Sequence, residues 1–208
     1  NYIIIGRAYF LLQGVYVNLG MYDKALEAGH RAVELLDKVG NLQSKASALN
    51  SIGLIYGDYL KNNQQSIKYY LQAKEIWEEI SYQYGLGVLF NNLGLAYLKE
   101  REYDLGKKHL LESLDIKNKI GNKQAIATTF ANLGKVSLAQ ENYKEAEKYF
   151  LKALKGREDC GHTRGIVTSG NALAKLYTIL GRYTEAEEYL NQGEEISIKK
   201  NLEDRLED

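Results

Sequence analysis

Asn91-Asn92-Leu93-Gly94-Leu95-Ala96-Tyr97 and Ala131-Asn132-Leu133-Gly134-Lys135-Val136-Ser137 share one pattern, forty residues apart. Asn50-Ser51-Ile52-Gly53-Leu54-Ile55-Tyr56 has the same form. A second signature follows each of them. It reads Tyr22-x-x-Ala25, Asn63-x-x-Ser66, Tyr103-x-x-Gly106, Tyr143-x-x-Ala146 and Tyr183-x-x-Ala186. Its small residues stand at 25, 66, 106, 146 and 186, so the steps are 41, 40, 40 and 40. The chain is therefore five copies of one unit, with one residue inserted in the second. A fixed period of this length marks a stacked repeat architecture.

The unit reads as two helices. From Lys123 to Gln140, Ala127, Phe130, Leu133, Gly134, Ser137 and Leu138 recur at helical spacing. A second helix from Tyr143 to Glu158 carries Ala146, Tyr149, Phe150, Ala153 and Leu154 on one stripe. The chain contains no proline, which would break helix interiors, so it is free to be helical almost throughout. Its 19 glycines need reasons, because each one inside a helix costs about 1 kcal/mol relative to alanine. Gly40-Asn41, Gly121-Asn122 and Gly161-His162 suit helix ends with positive φ, as do Gly20 and Gly181. Gly53, Gly94 and Gly134 lie mid-helix, where a missing side chain lets the second helix approach at its own small residue. Each hairpin leaves an apolar face for its neighbours to cover. The expected units are 1–40, 41–81, 82–121, 122–161 and 162–200, forming a single array over 1–208.

Composition narrows the function. Hydrophobic residues at 45% and charged residues at 26% describe a globular chain, not a disordered one. Lys+Arg and Asp+Glu each number 27, so no net field draws the chain to nucleic acid or an anionic membrane. No apolar run is long enough to span a bilayer. One cysteine cannot form an internal disulfide, and this alone points towards a cytoplasmic setting. No N-x-[ST] acceptor occurs. The frequent Lys, Asn, Ile and Tyr suggest a bacterial source.

These residues resemble the tetratricopeptide repeat: an aromatic, then Leu-Gly, then Tyr, followed by Ala, a large apolar residue and Ala. Phe130, Leu133, Gly134, Ala146, Phe150 and Ala153 carry the match in the fourth unit, with Ser137 where Tyr is usual. Phe90, Leu93, Gly94, Tyr97 and Leu110 carry it in the third. The first unit departs, with Gln13 at the glycine and Gly29 at the large apolar position. Forty residues and a Gly-polar junction are similar to the longer-helix subclass seen in Pins-like adaptors and bacterial signalling proteins. The resemblance implies an all-α fold, a right-handed superhelical solenoid of antiparallel hairpins. It also implies a non-catalytic module that binds a peptide or partner helix on the concave face of its first helices.

Carried over by register, that face presents Asn50, Asn91 and Asn171 three residues before the glycine-type position, and Asn92 and Asn132 two before it. Leu54, Leu95, Lys135 and Lys175 stand one after it, and Arg164 ten before it. An asparagine amide offers both donors and an acceptor, so it suits a peptide backbone of any sequence. It equally suits a neighbouring helix, and the sequence leaves both readings open. Leu54, Leu95 and Leu98 make the middle of the face apolar, while Lys135, Lys175 and Arg164 make its later part basic. The expected ligand is a protein segment with an apolar anchor and acidic residues. Asn91, Asn132 and Lys135 are expected to be exposed.

No catalytic constellation is present, and no cofactor or metal is expected. Cys160-Gly161-His162 supplies two ligand types in a turn, too few for a metal site. Gly85-x-Gly87 has neither the third glycine nor the preceding strand of a dinucleotide loop. Residues 201–208 are in phase with the start of a sixth unit, or form a polar cap. The chain therefore reads as part of a longer array, or as the sensory arm of a signalling protein. The alternative to recognition is architectural, a solenoid that self-associates through its ends and leaves its groove unused.

Overall fold

At four helices an asparagine fixes where the helix begins. Asn41, Asn62, Asn122 and Asn142 accept from the backbone N–H of Ser44, Gln65, Ala125 and Glu145 at 3.2, 3.1, 3.0 and 3.4 Å. Each bond satisfies one of the donors that a helix N-terminus leaves unpaired. The residue that turns the chain at each helix end has positive φ. At Gly40 and Gly121 this is 66° and 80°, as the sequence predicts. At four other ends a side chain is held in the same region, at Lys61, Ser81, Arg101 and Glu141.

The computed structural model describes residues 2–207, with side-chain surroundings up to residue 200. Ten α-helices occur among the described residues: α1 Tyr2–Asn18, α2 Tyr22–Lys38, α3 Leu42–Leu54, α4 Asn63–Glu79, α5 Gln83–Lys99, α6 Tyr103–Ile120, α7 Lys123–Ala139, α8 Tyr143–Glu158, α9 Thr163–Ile179 and α10 Tyr183–Glu207. The fold is all-helical, built from the paired helices that the repeat predicts. The extra residue of the second unit is absorbed at Ile55–Tyr59, where α3 ends in a π-helical turn. Such a turn takes one more residue without ending the helix. The role expected for 201–208, cap or further unit, falls on side chains outside those described.

Two compact units divide the chain, residues 1–116 and 117–208. In the first, α1 packs on α2, α2 on α3, α3 on α4 and α4 on α5. Its main core joins Leu49, Tyr70, Trp77, Leu89, Phe90 and Leu93. In the second, α7 packs on α8, α8 on α9 and α9 on α10. Its core joins Phe150, Leu154, Leu173, Leu176 and Tyr177.

Close approach within the second, third and fourth hairpins depends on the mid-helix glycine. A Cβ at Gly134 would lie 2.5 Å from ring atoms Cδ1 and Cε1 of Phe150, and one at Gly53 would lie 2.7 Å from the Tyr70 ring. At Gly94 it would meet Leu110 Cγ at 2.5 Å and the Gly106 carbonyl at 3.0 Å. The small residue of the second helix does come close, as expected from the sequence. The tighter constraint is the large residue four positions later, which lies against the bare backbone.

The first hairpin inverts this arrangement. Gln13 takes the glycine position, and Gly29 takes the large one. A Cβ at Gly29 would lie 3.0 Å from Gln13 Cδ and 2.8 Å from Ile52 Cγ1. Volume is thus exchanged across the interface, which explains both departures from the repeat pattern. Gln13 is fully buried, and its amide has no hydrogen-bond partner among the described residues.

Two substitutions check this packing by chemical denaturation. Gly134→Ala lowers stability by about 1–3 kcal/mol, the usual cost of overpacking a filled core. Gln13→Met keeps the volume and removes the unpaired amide, so it raises stability by about 1–3 kcal/mol.

Candidate peptide-binding face

Asn50 and Asn92 are brought together, with Asn92 Nδ2 donating to Asn50 Oδ1 at 3.2 Å. They lie on α3 and α5, and both are half-buried. Asn91 is half-buried too, and it is likewise engaged with its surroundings. Leu95 and Leu98 on α5 are half-buried. Leu54 forms part of a groove of about 340 Å³ with Phe10, Leu11, Val17 and Ile55. Leu11 is 71% exposed there, so the groove opens to solvent with an apolar lining.

In the second unit, Asn132 is buried, contrary to the exposure expected of it. Lys135 Nζ donates to its Oδ1 at 3.2 Å. Lys135 as a whole is exposed, yet desolvation of its amino group holds its pKa below the usual lysine value, and the nearby Arg157 charge lowers it further. Asn171, Lys175 and Arg164 on α9 are exposed. Lys135, Lys175 and Arg164 have no carboxylate partner among the described residues. Lys45, Lys99 and Arg182, by contrast, pair with Asp37, Asp58 and Glu147 at 2.6, 2.7 and 3.0 Å.

One set of residues escaped the sequence reading. Trp77, Lys117 and Arg157 occupy the same register at steps of 40, and so do Leu89, Thr129 and Ser169. Trp77 and Leu89 belong to one apolar cluster. Lys117 Nζ instead donates to Thr129 Oγ1 at 2.8 Å. Arg157 Nη1 donates to Ser169 Oγ at 2.6 Å and to the Gly165 carbonyl at 2.9 Å. Both cations are buried at 8% exposure and lack a carboxylate partner among the described residues. Burial lowers the pKa of each, to about 8 for Lys117. Aligning the units by period would have exposed this change from apolar to cation–hydroxyl pairs.

Among the described residues, no three His, Cys, Asp or Glu side chains are grouped to hold a metal ion. No described helix is long and apolar enough to cross a membrane.

The tetratricopeptide repeat profile matches residues 85–159 and 126–199, and a second profile of that description matches 46–76. The chain belongs to the tetratricopeptide repeat family. Repeats of this family are generally non-catalytic interaction modules, which supports a protein-interaction role. No curated protein matches the sequence. Among solved structures, BtubC from P. vanneervenii aligns with a TM-score of 0.85 at 15% identity, over 96% of this chain and 82% of that one. Aspartyl phosphate phosphatase F from Bacillus subtilis aligns with 0.85 at 21%, over 96% and 52%. A Rap protein complexed with Competence and Sporulation Factor aligns with 0.76 at 21%, over 95% and 55%. This tetratricopeptide repeat chain thus spans about half the length of the last two proteins. At these identities the likeness is one of fold.

The buried lysine makes a pH-dependent prediction. Between about pH 8 and 10.5 the unfolded chain holds a proton that folded Lys117 has released, so this residue makes stability rise with pH over that window. Lys117→Met raises stability at pH 7 and removes that part of the rise. Urea unfolding of both proteins at pH 7 and 9 measures the difference.

Proposed function

We propose that the chain is a non-catalytic recognition module whose first helices bind a protein segment with an apolar anchor and acidic residues. Leu54, Leu95 and Leu98 of the first unit take the anchor. Within the second unit, Lys135, Lys175 and Arg164 offer cations suited to carboxylates. The observation that carries the reading is that these three cations have no carboxylate partner among the described residues, while an open apolar groove surrounds Leu54. Charge-assisted hydrogen bonds to carboxylates are the stronger kind, and they suit such cations. The Rap protein complexed with Competence and Sporulation Factor shares the fold, which supports binding by this architecture.

Asn50 and Asn92 contribute indirectly in this reading, because they bond to each other. Asn91 and Asn132, at adjacent register positions three and two before the glycine-type residue, are engaged with their own neighbours and also contribute indirectly, while Asn171 is exposed for direct backbone contact. The module serves a larger signalling protein or a scaffold, in an intracellular setting suggested by the exposed, unpaired Cys160.

A peptide-array screen followed by calorimetry tests this. Charge reversal by Lys135→Glu with Lys175→Glu weakens binding of acidic peptides by roughly tenfold or more, since hydrogen bonds to charged groups contribute about 1.5–3 kcal/mol each. Circular dichroism confirms that the variant folds. Unchanged affinity in the folded variant rejects the assignment.

A further inference from the structure

Glycines inside these helices generally have a neighbour seated on them. A Cβ at Gly6, Gly85 or Gly156 would lie 3.0, 2.7 or 3.0 Å from Leu36, Trp77 or Ala127, much as at Gly53, Gly94 and Gly134. Gly14 departs from this. It stands in the interior of α1, and a Cβ there would meet nothing within 4 Å. A helix-interior glycine costs stability relative to alanine, and no contact among the described residues offsets that cost. Gly14 lines the groove of about 340 Å³ between α1 and α3, together with Phe10, Leu11, Val17, Leu54 and Ile55. Stacking of a further hairpin does not close this register. Leu54, Leu95 and Lys175 occupy it too, each preceded in sequence by another hairpin. Leu54 and Leu95 remain half-buried, and Lys175 remains exposed.

We propose that Gly14 seats a large apolar side chain from an amphipathic helix of a partner protein, which docks in this groove. The proposal rests on the reading of the first helices as a recognition face, and it names the form of the ligand there. The chain's own packing is the precedent. Tyr70, Leu110 and Phe150 each enter a glycine gap from a neighbouring helix. Chemistry selects a helix over an extended segment. The backbone groups of α1 and α3 are bonded within their own turns. Of the polar side chains lining the groove, the Gln13 amide is turned to Gly29, which leaves Asn18 and Ser51. An extended segment would bring unpaired amides against Leu11, Val17 and Leu54, at a cost nothing there offsets. A helix satisfies its own backbone and presents side chains alone. No residue lining the groove is charged, so the seated face of that helix is uncharged as well.

The groove matches a short helical face. From Phe10 to Asn18 it runs about 12 Å along α1, or roughly two turns. A docked helix therefore presents large apolar residues on two successive turns, at i and i+4. Helices meeting across a glycine approach at the short end of the usual range of about 8–10 Å between axes. One added methyl at Gly14 pushes the guest off its seat, as overpacking does in a core. In the free chain the same methyl enters open space. Gly14→Ala is thus expected to strengthen the fold and weaken recognition, two effects of opposite sign that a merely structural glycine would not produce.

The probe is a fluorescein-labelled helix of Glu-Ala-Ala-Ala-Lys repeats with leucine or phenylalanine guests at i and i+4 on its alanine face. It is titrated by anisotropy into the whole chain. The leucine and phenylalanine helices bind wild type about tenfold or more tighter than the all-alanine host. Gly14→Ala weakens them by about tenfold, and it raises the urea midpoint by about 0.3 M. The same guests on a proline-interrupted, extended host bind no better than the alanine helix. Equal affinity of wild type and Gly14→Ala for the leucine helix overturns the proposal, and so does a lowered urea midpoint. Tight binding of the extended host, or no guest-dependent binding at all, overturns it as well. A wild-type dimer in sedimentation equilibrium that Gly14→Ala dissociates makes a second copy the occupant and rejects the separate partner. If charge reversal at Lys135 and Lys175 weakens acidic peptides while Gly14→Ala is silent, recognition stands and the Gly14 seat falls. The opposite pattern removes the carboxylate assignment and keeps the seat.

Discussion

Contact between a bare glycine backbone and a large side chain sets the spacing of the hairpins. Phe150 lies against Gly134, Tyr70 against Gly53 and Leu110 against Gly94, each closer than a methyl group would permit. Core packing is dense, so this distance fixes where the next helix finds its grooves. The inserted residue of the second unit shows how firmly the spacing is held. The chain takes a π-helical turn at Ile55–Tyr59, and the Gly53–Tyr70 contact is kept. The Gln13–Gly29 exchange meets the same constraint with its sizes reversed.

A constant frame allows its interior chemistry to vary. The register that holds Trp77 and Leu89 in one unit holds Lys117 and Thr129, then Arg157 and Ser169, in later ones. A buried cation without a carboxylate is costly, and a hydroxyl or carbonyl acceptor offsets only part of its lost hydration. The lowered pKa values of Lys117 and Arg157 express that cost. Lys135 is close enough to feel the Arg157 charge, so cations gather locally in the second unit although its 15 Lys+Arg nearly balance its 14 Asp+Glu. The first unit has the opposite character, with open apolar surface near Leu54 and along α1.

The hairpins were legible because period and glycine placement are local facts. Boundaries read from the pattern agree closely with the helices: Tyr143–Glu158 is the same span in both readings, and Lys123–Gln140 differs by one residue from α7. The recognition face was legible only as a set of register positions. An asparagine looks the same in sequence whether its amide faces water or another helix. Asn92 bonds to Asn50, 42 residues away, and Asn132 is buried with Lys135 bonded to it.

The sequence by itself determined the two-helix pattern of the repeat and the glycines that end several of its helices, since turn chemistry and periodicity act over a few residues. It also placed the chain in its repeat family. Only the tertiary structure decided which equivalent residues are covered. Leu12 and Leu133 occupy the same position in the pattern, yet one is exposed and the other is sealed. Burial depends on what stacks against a helix, and that neighbour belongs to another part of the chain. The repeat makes every hairpin alike, and packing makes them different.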